Sequence, residues 1–327
     1  MRGVESKDYL SKETTTSVNG LFILVVFFSH IQQYHHDLPA PVHSVTTALG
    51  QLMVAMFLFY SGYGVGCSVH KKGMEYVHGM PRRRIFQLLV RFIPAVLLYA
   101  VIDFICDIPF TGRQFVFSLI GWENLGNSNW YIFVILCLYL VTWIACEFCG
   151  KFVEESRREI VSFLAMCFLS ACLFLFLHET KERWWYNTMT AYPFGYFVAL
   201  TRKKWDSILG VRFIWAGITL ISFLLVLLLR PVSRHASLYL IMTVLYCTLV
   251  LCITKKVPVY HPVLYWLGSH LFEIYILMRI PMILLLRVQV AWIQNPLVFT
   301  VFSLAATLLL AYLYHRVYEF FASRLAR

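Results

Sequence analysis

Apolar windows of about 20 residues, bounded by charged residues or by Pro and Gly, dominate the chain. A helix of that length rises about 30 Å, which matches the hydrocarbon thickness of a bilayer. No long polar stretch remains for a separate water-soluble domain. The prediction is an all-α, polytopic integral membrane protein in which residues 1–327 form one domain. About ten transmembrane helices are expected, near residues 17–36, 44–68, 83–106, 130–149, 159–178, 185–201, 212–230, 236–254, 263–286 and 296–318.

The composition supports this class and argues against nucleic acid as a partner. Only 14% of the residues are charged, whereas a soluble domain has about a quarter, and 60% are hydrophobic. The formal net charge of +11 comes from short Lys and Arg clusters between apolar windows, which is the topology signal of a membrane protein. The nine cysteines lie in or beside these windows, and the Cys146–Cys149 pair is interpreted as part of a helix end. No metal site is expected.

The distribution of Lys and Arg predicts the orientation. Twenty of the 28 basic residues lie in segments on the side of the N-terminus, and six lie in the opposite loops. The positive-inside rule then places both termini in the cytoplasm and the protein in the cytoplasmic (inner) membrane. The first window is followed by QQYHHDLPAP and no small-residue cleavage site, so it is interpreted as an uncleaved span. Its His35–His36 pair is interpreted as part of a solvated loop.

Two polar residues mark the first span, Asn19 near its start and His30 near its end. Eleven positions correspond to about three helical turns and a rise of about 16 Å, so both side chains lie on one helix face. An imidazole inside a membrane is a functional candidate by default. The alternative is that His30 lies at the helix end and reaches water among the lipid headgroups.

A basic segment precedes the third span and contains Arg82, Arg83 and Arg84, with Arg91 seven residues beyond Arg84. On a continuous α-helix that spacing places Arg84 and Arg91 on one face, two turns apart. One interpretation is a topology anchor on the cytoplasmic side. The other is a cavity in which Arg83, Arg84, Arg91 and the polar Asn19 bind the phosphates of a nucleotide-like cofactor.

The opposite side of the membrane carries the longest loop, Asp107 to Asn129, which is rich in Gly, Asn and Trp. Aromatic residues there are typical of an interfacial belt, but with Asn and Glu they also bind sugars. Asn129, Trp130 and the deep carboxylate Glu273 are therefore candidates for acceptor binding. An alternative pairs Glu273 with Arg279.

Several stretches together resemble the acyltransferase 3 family, membrane enzymes that O-acylate bacterial glycans and related molecules. The first-helix signature is matched by VNGLFILVVFFSH, the second-helix element by FLFYSGYGVG (57–66), and the arginine-rich start of the third helix by RRRIFQLLVRFIP (82–94). Later elements of the family are matched, in order, by NWYIFVILCLY, YPFGYFVAL and EIYILMRIP. The resemblance covers about nine-tenths of the chain.

Two positions depart from the family pattern. Asn19 replaces the basic residue expected eleven positions before the histidine, and Met278 replaces a histidine of the ninth helix, with Arg279 beside it. The resemblance implies acyl-CoA, most often acetyl-CoA, as donor. It also implies a hydroxyl of a cell-surface polysaccharide or lipid-linked sugar as acceptor, and His30 as general base.

Two other functions fit part of the sequence. A transporter or flippase for a lipid-linked sugar would also have about ten spans, and two broken helices in matching positions would favour it. The few ionisable residues within the spans argue against a proton-coupled pump. A non-catalytic membrane sensor is the third possibility, suggested by Asn19 and Met278.

Overall fold

The computed structural model describes residues 8–34, 40–232, 235–288 and 290–325; the His35–His36 pair lies outside them. Within these ranges the chain forms helices joined by turns and contains no strand. A π-helix (Pro81–Phe86) lies between α3 and α4, and one 3₁₀ turn (Arg183–Trp185) precedes α8. The α-helices are α1 (Lys12–Ile31), α2 (Ala40–Lys72), α3 (Met74–Met80), α4 (Gln87–Ile105), α5 (Gly112–Ser118), α6 (Trp130–Phe152), α7 (Glu155–Thr180), α8 (Ala191–Leu200), α9 (Arg202–Gly210), α10 (Arg212–Leu229), α11 (Ala236–Lys256), α12 (Pro262–Ser269), α13 (Leu271–Leu277), α14 (Arg279–Arg287) and α15 (Pro296–Leu325).

The helical membrane protein predicted from the sequence is confirmed. Within the described ranges, eight helical stretches are long and apolar enough to cross a membrane, and the bent stretch α12–α14 adds a ninth. Each of the ten predicted windows contains a helix. α8, however, has only ten residues and a length of about 15 Å, half of what a bilayer requires. The cytoplasmic placement of both termini stays a prediction.

The sequence Tyr192-Pro193-Phe194-Gly195 predicts a kink in the middle of the window 185–201, and the structure has none there. α8 begins at Ala191 and continues without interruption to Leu200, so Pro193 lies in its first turn. The backbone N–H groups of a first turn have no intrahelical acceptor, and proline is therefore accommodated there without a kink. The segment between the 3₁₀ turn and α8 consists of turns rather than helix, which shortens the predicted span from its N-terminal side.

The real break lies in the ninth window, where α12 and the helices that follow it meet at an angle of 60°. The carbonyl oxygen of Trp266 accepts hydrogen bonds from the Ser269 hydroxyl (2.7 Å) and from His270 Nδ1 (2.9 Å), besides the His270 backbone N–H (3.2 Å). Side-chain donors that compete for a backbone carbonyl in this way disturb the regular backbone hydrogen bonds and bend a helix. The apolar pattern continues across the bend, so hydropathy does not reveal it.

The described residues form two compact units by their contacts. Unit 1 comprises Met1–Thr15, Val54–Gln87 and Val134–Val259, as far as these are described, and unit 2 comprises Thr16–Met53, Leu88–Phe133 and Tyr260–Arg327. Four of the five boundaries fall inside helices, so no linker in the sequence marks them. The single domain expected from the sequence stays a prediction.

In unit 1, a charged cluster fixes the start of α9. Arg202 donates hydrogen bonds to Asp206 (2.7 Å) and to the Tyr63 hydroxyl (2.9 Å), and Lys255 donates to the other oxygen of Asp206 (2.9 Å). Burial alone would raise the pKa of Asp206, but the hydrogen bonds from Arg202 and Lys255 outweigh it and lower that pKa. Asp206 is therefore an anion that ties α9 to the end of α11.

In unit 2, glycines bring α1 and α12 into backbone contact. A Cβ atom on Gly20 would overlap the carbonyl of Leu264, and one on Gly268 would overlap the carbonyl of Thr16. Helices in membranes approach this closely only where small residues leave room. The contact fixes the helix that carries His30 against the bent span.

We expect Gly20→Ala to destabilise the protein by about 1–3 kcal/mol, because its methyl group meets backbone that cannot move aside. Gly217→Ala in α10 is the matched control. A Cβ there meets open space, and the change should stabilise by about 0.5–1 kcal/mol through helix propensity. Thermal unfolding of both variants in detergent measures the difference. Equal midpoints for the two would contradict the tight α1–α12 contact.

Candidate active site

His30 is held by Arg279, 249 residues further along the chain. Nη2 of Arg279 lies 3.0 Å and Nε lies 3.3 Å from Nδ1 of His30. The same guanidinium donates to Gln33 Oε1 through Nη2 and to the Gly126 carbonyl through Nη1 (3.3 Å). One arginine at the start of α14 thus connects the end of α1 with the loop before α6.

This contact fixes which nitrogen of His30 can take up a proton. Arginine can only donate hydrogen bonds, so Nδ1 is the accepting, unprotonated nitrogen. In a neutral imidazole the proton then lies on Nε2. The lone pair that could accept a proton is therefore on Nδ1, the atom that Arg279 covers.

Sequence reasoning considered Arg279 as a partner for Glu273 and as the neighbour of Met278, not as a partner for His30, and it missed Gln33. The signal for Gln33 was its position three residues after His30, which places neighbouring side chains on one side of a helical turn. Both residues contact each other and the ring in the structure. The Arg279–Glu273 pairing considered from the sequence is not the one observed.

Glu273 pairs with Arg91 instead. Its side chain is completely buried, and Oε1 accepts from Arg91 Nη2 and contacts His315 Nδ1 at 3.1 Å. The guanidinium of Arg91 also lies over the rings of Phe272 (5.1 Å) and Tyr318 (4.8 Å). The charge of Arg91 is thus compensated inside the protein while 28% of its side chain is exposed. Arg91 is predicted to bind the donor and Glu273 the acceptor. Each role requires a ligand that binds to a residue already engaged in this ion pair.

In unit 1, the basic segment lies on the π-helix that follows α3. Arg83 is exposed, and Arg84 is partly buried and donates through Nε to the Tyr76 hydroxyl at 2.9 Å. The Arg84 guanidinium also lies 5.8 Å from the centre of the Tyr139 ring. The prediction that Arg84 and Arg91 share a face assumed one continuous α-helix, whereas Arg84 lies on the π-helix and Arg91 on α4. Their joint role in donor binding stays a prediction.

The remaining predicted site residues lie in unit 2. Asn19 has a buried Oδ1 without a hydrogen-bond partner among the described residues. The side-chain amide of Asn129 donates to the Glu123 carbonyl at 2.8 Å, which shapes the loop before α6. Trp130 is buried at the start of α6, with its ring edge-to-face with Tyr131. Asn129 and Trp130 thus have structural contacts, and their role in acceptor binding stays a prediction.

The fold and this site define a polytopic helical membrane protein with a histidine anchored by an arginine. The chain belongs to the acyltransferase 3 family: the family described as an acyltransferase domain matches residues 18–316, nearly the whole chain. This makes it a membrane acyltransferase. Comparison with curated proteins and with solved structures gave no match.

Proposed function

We propose that this acyltransferase transfers an acyl group, acetyl being the simplest, from acyl-CoA to a hydroxyl of a cell-surface polysaccharide or lipid-linked sugar. It acts in the cytoplasmic membrane, with both termini inside. The observation that carries the proposal is the contact between His30 Nδ1 and Arg279 in a chain of this family. It gives a membrane-embedded imidazole a defined tautomer and orientation, which a general base needs.

The reaction starts when the acceptor hydroxyl replaces Arg279 at Nδ1 of His30. The hydroxyl gives its proton to Nδ1 while its oxygen attacks the thioester carbonyl, forming the new C–O bond. The C–S bond then breaks, and the departing thiolate of CoA takes the proton from Nδ1. His30 returns to its neutral state and Arg279 to its contact. The step needs no further reactant.

On the donor side, Arg91 supplies a cation for the phosphates of CoA, and the donor role of Arg84 stays a separate prediction. Arg84 uses Nε for Tyr76, and no hydrogen bond within the described part of the chain uses its terminal nitrogens. Arg91 would bind a phosphate while keeping its contact with Glu273, because a guanidinium presents several donors in one plane. Asn19 is uncharged and would contribute a hydrogen bond only.

Arg91→Lys is expected to weaken CoA binding about tenfold, because lysine keeps the charge but loses the planar donors that serve phosphate and Glu273 together. The acceptor KM should not change. Arg82→Lys, an exposed position in the same basic segment, is the control and should bind CoA normally. Binding of CoA to the purified variants, measured by calorimetry, makes the comparison. Unchanged affinity in Arg91→Lys would leave Arg91 as the counter-ion of Glu273 alone.

The function itself is tested with purified protein in nanodiscs and acetyl-CoA labelled in the acetyl group. Label should move to cell-envelope glycans, with release of one CoA per acetyl group transferred. Absence of both label transfer and CoA release would overturn the proposal. The transporter alternative gains no support, since the described residues contain only one bent span, α12–α14.

A further inference from the structure

Asp103 lies near the end of α4 and is only 1% exposed. Its Oδ1 has no hydrogen-bond partner, and no ion pair involves its carboxylate among the residues that the structure describes. The backbone at this position is satisfied, since the Asp103 carbonyl accepts from the Ile108 N–H at 2.8 Å. The unpartnered atom is therefore the side-chain Oδ1.

A carboxylate buried in this state is costly. Carboxylates inside proteins are normally paired or accept several hydrogen bonds, because desolvation of the charge is not otherwise compensated. In membrane segments such groups mark sites where a ligand is bound. Asp103 contrasts with Glu273, which is equally buried but has two partners.

Asp103 is also next to the active site through Gly126. This glycine has a φ of +76°, and a Cβ on it would lie 3.9 Å from Asp103 Oδ1 and 3.7 Å from the Tyr99 ring. The carbonyl of the same glycine accepts from Arg279, which holds His30. Gly126 is therefore next to both the Asp103 carboxylate and Arg279, the residue that holds His30.

We propose that Asp103 binds the acceptor: its carboxylate accepts hydrogen bonds from hydroxyl groups next to the one that is acylated. Carbohydrates fit this site, because neighbouring hydroxyls of one ring can donate to both oxygens of a carboxylate. This inference rests on the proposed function, since it assigns the acceptor of the same reaction. It adds a carboxylate, a kind of binding group that Asn129 and Trp130 do not supply.

The test compares sugar and simple alcohol acceptors in one assay. CoA release from acetyl-CoA is measured in nanodiscs with a panel of methyl glycosides and with n-propanol, which has a single hydroxyl. Asp103→Asn should raise the KM for the accepted glycosides about 10- to 100-fold, the loss expected for hydrogen bonds to a charged group. The ratio of kcat/KM for the glycosides to kcat/KM for propanol should fall by the same factor, because propanol has no neighbouring hydroxyl to bind the carboxylate. Asp107→Asn, the same change at an exposed position, should match the wild type.

The thermal stability of Asp103→Asn tests the inference independently of the acceptor assay. Asp103→Asn should raise the thermal midpoint without ligand, because it removes a buried carboxylate that forms no ion pair with any residue the structure describes. A lower midpoint would show that the carboxylate is satisfied within the fold and would overturn the inference. An unchanged KM for the glycosides in Asp103→Asn would overturn the inference too. The same holds if glucosamine, tested as an amine acceptor, is the one acceptor whose KM rises. If the wild type releases CoA with none of these acceptors and with no envelope glycan, the proposed function itself fails.

Discussion

His30→Ala should insert into the membrane and accumulate as the wild type does, yet lose about 10²- to 10⁴-fold of its transfer rate, the usual contribution of a positioned general base. Alanine is no burden to a helix in lipid, and Arg279 keeps two of its acceptors, Gln33 Oε1 and the Gly126 carbonyl. The measurement is the rate of labelled acetyl transfer at saturating acetyl-CoA, normalised to folded protein.

The control for this variant is His178→Ala, which removes a half-exposed histidine of α7 and should leave transfer unchanged. Added imidazole should partly restore the rate of His30→Ala, because a free base can occupy the space beside Arg279. Transfer by His30→Ala at the wild-type rate would remove His30 from the mechanism and leave it as a residue at the end of a span.

Glu273→Ala should destabilise unit 2 by about 3 kcal/mol. The substitution leaves Arg91 without its counter-ion and opens a cavity where Oε1 had met Arg91 and His315. Breaking a buried ion pair costs about 3–5 kcal/mol, and the lower end applies because 28% of the Arg91 side chain is exposed. Unfolding in detergent, followed by circular dichroism, measures the loss.

A double variant separates the charge from the cavity. Arg91→Met combined with Glu273→Leu replaces the pair by apolar groups of similar volume and should recover most of the stability, although acyl-CoA binding should not recover. If Glu273→Ala unfolds at the wild-type midpoint, the pair does not support the fold. If the double variant is no more stable than Glu273→Ala, packing rather than charge accounts for the loss.

Local sequence was enough to predict the helices. A bilayer leaves every backbone group to be satisfied within its own segment, so each apolar window is expected to become a helix. A histidine inside such a window is conspicuous, so its position made His30 a candidate, and its catalytic role stays a prediction. The α8 segment shows where hydropathy is insufficient, because only ten residues of its apolar window are α-helix and turns precede them.

The partners of these residues could not be predicted locally. Arg91 and Glu273 are 182 residues apart, and His30 and Arg279 are 249 residues apart. Nothing in hydropathy or helical periodicity selects one distant polar residue over another, so Glu273 was considered as a partner for the wrong arginine. The bend at His270 and the π-helix also depend on hydrogen bonds that the apolar pattern does not record.

The sequence distance between Arg91 and Glu273 has a consequence for biogenesis. At about 5–20 residues per second, the ribosome makes Glu273 roughly 10–35 s after Arg91. During that interval the stretch Met74–Ile105 must enter the bilayer with an uncompensated arginine, which costs about 2.5–3.5 kcal/mol at a helix centre. The apolar residues of this stretch make insertion possible, but the counter-ion of Arg91 is present only after the chain has been translated as far as Glu273. A nascent chain arrested before Glu273 would therefore expose a lone intramembrane cation, the kind of defect by which membrane quality control can distinguish unfinished chains from finished ones.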